Sequence, residues 1–170
     1  MKAEILRLIA GGLLGLLCCY GGVIIRRHYA DREKFFGDAE QFALQLKREL
    51  GFRKTPLPDV IAAFSETAKG QFSKMLESFS RRLAAGVPQS EAARAEAEET
   101  KMKPADKLLV REFLSSLGKT ALPDQLDAVQ RAQESFAARR AVCAEETKRL
   151  GGMYFKLAVL LGIALIVLLA

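Results

Sequence analysis

The sequence predicts an all-α protein: a cytoplasmic helical bundle flanked by N- and C-terminal transmembrane helices. Three observations predict it. Apolar residues recur at helical spacing through the middle of the chain. No run of alternating β-branched residues bounded by turns reads as a strand. Two apolar runs without a charge, Leu8 to Ile25 and Leu157 to Ala170, lie at the two ends.

The 170 residues fit one domain plus appendages. Its parts are residues 1–26 as the first transmembrane helix, 27–149 as the cytoplasmic bundle and stalk, and 150–170 as the second transmembrane helix. As a helix, Leu8 to Ile25 extends about 27 Å, close to a bilayer core of about 30 Å. The second run is shorter. Counted from Leu150 it spans too, with Lys156 able to snorkel to the headgroups. No small-x-small cleavage site follows the first run, which favours a retained helix over a signal peptide. Arg26, Arg27 and Arg32 follow the first run, and Lys148 and Arg149 precede the second. The positive-inside rule then places the middle in the cytoplasm and both termini on the far side.

Of 26 Lys+Arg and 20 Asp+Glu, all but Lys2, Glu4, Arg7 and Lys156 lie between Arg26 and Arg149. They are mixed in sign along the helices, as on a solvated face, without the one-signed stripe of a nucleic-acid footprint. A modest positive excess suits a neighbouring anionic leaflet.

The elements follow in order. After a polar link, Arg26 to Lys34, comes a helix whose stripe is Phe35, Phe36, Ala39, Phe42, Ala43, Leu46 and Leu50, with Gly51 as its stop. Large apolar stripes are normally buried, so this one reads as core. Thr55-Pro56-Leu57-Pro58-Asp59 opens the second helix, with Thr55 as cap and Pro56 at the first helical position. Its inner face is Val60, Ala63, Phe64 and Ala68, and Gly70 ends it. The third, about 71–85, buries Phe72, Met75, Leu76, Phe79 and Leu83 and stops at Gly86, before Pro88. The fourth, from about Ser90 to Lys101, is rich in Ala, Glu and Arg, with high helix propensity but few large apolar groups. That composition places it on the outside. Pro104 starts the fifth, with Ala105, Leu108, Leu109, Phe113 and Leu117 facing in and Val110 and Leu114 widening the stripe. The last arm starts at Ala121, with Leu122, Leu126, Val129, Ala132 and Phe136 against the bundle. It then turns polar, like a solvent-bridging helix. Gly151-Gly152 marks a bend or close contact at the membrane surface.

The turn between the last two helices is a hinge. Gly118 fits the left-handed position that ends a helix, and Thr120 is a plausible cap for the next. The amide of Gln125, about one turn on, can tie free backbone groups at the two helix ends together. The alternative is a solvent-facing residue or partner contact. Leu117, Gly118, Thr120 and Gln125 are therefore the hinge or partner-docking candidates.

No catalytic, cofactor or metal site is legible. His28 is the only histidine and lacks companion ligands. Glu96, Glu98 and Glu99 read as surface charge on a solvated helix. Gly118-Lys119-Thr120 looks like the end of a phosphate loop, but Phe113 stands where its first Gly belongs, and a helix precedes it. Cys18, Cys19 and Cys143 fit neither a zinc site nor a disulfide framework.

The order and spacing of several motifs resemble the stage III sporulation protein AB family. They are the N-terminal apolar run, Thr55-Pro56-Leu57, Phe79-Ser80-Arg81-Arg82-Leu83, and Phe113 with Leu117-Gly118. Gln125, seven residues after that Gly, and Leu150-Gly151 complete the set. Ala121 stands where the family often has Asp, and there is no Trp in the fourth helix. The resemblance implies a cytoplasmic helical domain similar to that of the type II secretion inner-membrane platform protein. It implies a non-enzymatic, membrane-anchored platform of the sporulation channel between mother cell and forespore, located in the mother-cell membrane. Such a platform couples a secretion-type ATPase to ring-forming sporulation channel membrane proteins, with no cofactor, nucleic acid or small-molecule substrate. The alternatives are a membrane tether or sensor, or a membrane-bound enzyme with an unrecognised site.

Overall fold

A computed structural model describes the backbone of residues 2–52, 55–118 and 122–169, and all their side chains except those of 2–11, 14, 19, 165, 166, 168 and 169. The described elements are helices: α1 Lys2–Phe52, α2 Leu57–Thr67, α3 Gln71–Ala84, α4 Gln89–Glu99, α5 Pro104–Ser116, α6 Leu122–Glu146 and α7 Gly152–Leu169, with a π turn, Thr147–Gly151, joining α6 to α7. The polar link expected at 26–34 does not interrupt α1. That stretch contains neither Gly nor Pro, so nothing in it breaks a helix.

The chain divides into two compact units, one of residues 1–33 and 141–170, the other of residues 34–140. In the first unit, the start of α1 runs antiparallel to the segment that ends in α7. Arg32 Nη1 donates to Glu146 Oε2 at 2.6 Å, and the stem of Arg26 lies over Gly151. Further along, Gly22 faces Phe155 and Ala158, and Gly162 faces Gly15 and Cys18. A Cβ on Gly22 would stand 2.9 Å from that of Ala158, so the two backbones approach as only small residues permit.

Between Leu13 and Ile25 and between Leu157 and Val167 the described exposed side chains of the pair are apolar or aromatic, with Leu16 and Val167 each 71% exposed, Tyr20 67% and Leu160 63%. Among the described residues no helix is long and apolar enough to cross a membrane. Parts of both expected spans, at 8–11, 14 and 19 and at 165, 166 and 168–170, lie outside the described side chains.

The second unit is built on phenylalanine. The Phe42 ring meets those of Phe64 at 5.2 Å, Phe72 at 5.8 Å and Phe113 at 6.2 Å, mostly edge to face. Phe113 meets Phe136 at 5.1 Å, which brings α6 into the same core. The expected α1 stripe is buried from Phe35 to Leu46, and in α3 Phe72, Met75, Leu76 and Phe79 are buried.

Other faces are rotated from expectation. In α2, Ile61 is buried and Ala63 is exposed. In α5 the buried set is Asp106, Val110, Phe113 and Leu114, followed by Leu117 just past its end, while Ala105 and Leu108 are exposed and Leu109 is half-buried. The cause is polar: Asp106 is fully buried and binds the Arg139 guanidinium of α6, which turns Val110 and Leu114 inward. The fourth helix is not peripheral either. Ala92, Ala93 and Ala97 are buried, because a face of methyl groups lets neighbouring helices approach closely.

Two ends also differ. Thr55 does not cap α2; its hydroxyl donates to Glu49 Oε2 at 2.8 Å, and Pro56 is the N-cap with Pro58 in the first turn. Gly70 does not end α2, which stops at Thr67, but is the extended N-cap of α3. By contrast, α3 ends as expected: Gly86 has φ +82°, and Val87 N–H bonds to Arg82 O while Gly86 N–H bonds to Leu83 O.

Candidate docking site

The hinge is held by a residue that local sequence does not flag. α5 ends at Ser116, Leu117 is extended and buried, and Gly118 is exposed with φ +73°. A non-glycine residue pays a steric cost there. The carbonyls of Leu114 and Leu117, left over at the helix end, both accept from Gln89 Nε2, at 2.8 and 2.6 Å. Gln89 is the first residue of α4. Its amide does what the sequence assigns to Gln125.

Gln125 lies half-buried in the first turn of α6. Thr120, with Lys119 and Ala121, lies outside the described residues. The structure thus brings Leu117 and Gly118 together with Gln89. Close by in sequence, Leu122 at the start of α6 is exposed.

Elsewhere among the described residues, ion pairs tie the bundle's helices together. Glu96, expected on the surface, is 3% exposed and accepts from Arg82 Nε at 2.7 Å, while Arg82 Nη2 also binds Glu99. The bond to Glu96 raises the Arg82 pKa further, against desolvation. Two residues of the Phe79-Ser80-Arg81-Arg82-Leu83 motif thereby acquire structural roles: Phe79 fills the core and Arg82 clamps α3 to α4. The polar half of α6 does not bridge solvent. Arg139 binds Asp106, and Arg140 Nη1 donates to Glu40 Oε2 at 3.0 Å.

Asp38 of α1 is half-buried, with its Oδ2 shielded from solvent at the start of α3. A Cβ placed on Gly70 would fall on its Oδ2. Burial pushes the Asp38 pKa above its ordinary 3.8, opposed by the charge of Lys34. Among the described residues no group of three or more His, Cys, Asp or Glu is arranged to hold a metal ion.

Fold and site define an all-helical protein in two parts, an apolar-surfaced helical pair and a phenylalanine-cored bundle. Its residues 7–170 match the family of stage III sporulation protein AB, and the chain belongs to that family. It is thus a sporulation protein. No curated protein and no solved structure matches the chain.

Proposed function

We propose that the protein is a non-enzymatic, membrane-anchored platform of the sporulation channel complex between mother cell and forespore. It couples a secretion-type ATPase to membrane ring subunits. The observation that supports this most is the division of labour between the two units. One carries both chain ends in a helical pair whose outer surface is apolar and whose inner seam is glycine. A helix apolar on its outer face, packed through small residues, suits lipid better than water. The other has its own aromatic core and an exposed hinge. Gly118, Thr120 and Gln125 are the surface on which the ATPase docks, and Leu117, which is buried, anchors the turn to the core.

The full chain reconstituted in lipid nanodiscs and titrated with the secretion-type ATPase tests this. Saturable binding that weakens in Gln125→Ala, with the melting curve kept, is expected. Absence of binding by the wild type sinks the platform. A reporter active only in the cytoplasm, fused after Ala170, is expected to be silent; strong activity there sinks the two-span topology.

A further inference from the structure

A groove of about 620 Å3 lies at the π turn of the helical pair, and its walls are of two kinds. Val142, Leu150 and Met153 are apolar; Glu145, Lys148 and Arg149 are charged. Glu146 also lines it, but its carboxylate is bound by Arg32, in a pair that is largely buried. That leaves two exposed cations, Lys148 and Arg149, against the single carboxylate of Glu145.

The π turn sets this arrangement. Cys143 and Gly151 are both buried, eight residues apart. At 100° per residue an α-helix would leave them about 80° out of line. The wider turn absorbs the extra residue, and such insertions are frequent at functional sites. Beyond the groove the apolar wall continues: Met153, Leu157, Leu160 and Leu161 of α7 are all exposed. Lys148 and Arg149 thus precede an exposed stretch of α7 that is apolar except for Lys156.

We propose that this groove binds one anionic diacyl phospholipid, its headgroup phosphate on Lys148 and Arg149 and an acyl chain along Met153, Leu157 and Leu160. A free phosphate has no use for the apolar wall, and a zwitterionic lipid such as phosphatidylcholine brings, beside its phosphate, a choline cation that two adjacent cations repel. The proposal rests on the membrane reading above, since the strip is available to acyl chains only where the pair sits in a bilayer. Each basic side chain near an anionic lipid surface contributes roughly a fivefold preference. The two together give about 25-fold, and the opposing charge of Glu145 brings this down to roughly tenfold.

The test is native mass spectrometry of the full chain in detergent with equimolar phosphatidylglycerol and phosphatidylcholine, alongside incorporation into phosphatidylcholine nanodiscs. The expected result is about tenfold more phosphatidylglycerol adduct than phosphatidylcholine adduct. In the K148Q/R149Q double variant the two fall to near parity with unchanged helical circular dichroism. Lys69→Gln and Lys74→Gln, in the bundle, keep the preference. Equal adducts on the wild type, or a preference that survives K148Q/R149Q, overturns the lipid site while nanodisc incorporation leaves the membrane reading standing. Displacement of phosphatidylglycerol by millimolar inorganic phosphate reveals an anion site without lipid selectivity and overturns it too. Failure to enter nanodiscs at all overturns both.

Discussion

Gly15 and Gly162 meet backbone to backbone: a Cβ on Gly162 would stand 3.3 Å from the Gly15 carbonyl oxygen and 3.7 Å from the Cβ of Cys18. The second distance is within the usual disulfide range of about 3.5–4.5 Å between Cβ atoms. Gly162→Cys is therefore expected to cross-link to Cys18 under mild oxidant. After proteolysis within residues 34–140 the two ends should stay joined until reduced, and Cys18→Ser should abolish the product. Separate fragments under oxidising conditions would show that the pair has a different register.

The Gln89 amide makes the hinge a matter of stability. Gln89→Ala frees two carbonyls at the end of α5 and is expected to cost about 1–3 kcal/mol in urea unfolding. Gln125→Ala is expected to cost less than Gln89→Ala. The reverse order would return the hinge-tying role to Gln125.

Phe42 and Leu109 separate the two halves of the core argument. Both stand at the centre of an apolar stripe in the sequence, yet Phe42 is fully buried and Leu109 only half. Phe42→Ala is expected to cost about 3–5 kcal/mol. Leu114→Ala should cost about 2–5 kcal/mol, since Leu114 is fully buried. Leu109→Ala should fall clearly below both in the same thermal melts. Equal losses at Leu109 and Leu114 would mean that α5 is rotated from the orientation described.

Asp38 and Gly70 share one space. Gly70→Ala is expected to destabilise the bundle, and the loss should shrink in Gly70→Ala/Asp38→Ala, where the carboxylate is gone; strict additivity would refute the contact.

The Asp38 carboxyl also has a pH signature. Its folded pKa lies above 3.8 because burial disfavours the charge, so the folded state holds the proton more tightly than the unfolded chain. The associated stability is present below 3.8 and is lost as pH rises through the folded pKa. Relative to Asp38→Asn, the wild type should therefore lose ground as pH climbs from below 3.8 toward neutrality. A difference that is flat or grows with pH would contradict the burial.

The hinge was partly legible in the sequence and partly not. Gly118 announces its positive φ because a helical stripe ends there and only glycine enters that region without strain. Nothing near Gln89 announces that its amide reaches carbonyls 25 and 28 residues away. Asp106 and Arg139 are likewise ordinary surface residues by composition, and their pairing is among the contacts that offset the burial of Asp106.

By itself the sequence determined the helices, their order and the phenylalanine stripe of α1, because these depend on local periodicity and on Gly and Pro as stops. It also carried the family. Only the tertiary structure decided how α2, α4 and α5 are rotated about their axes, that α1 runs unbroken from Lys2 to Phe52, and that a π turn joins α6 to α7. An alanine-rich helix such as α4, or one with apolar residues on most sides such as α5, has nearly equivalent faces by hydropathy alone. The choice between them falls to ion pairs and close backbone approaches whose partners lie far away in the chain.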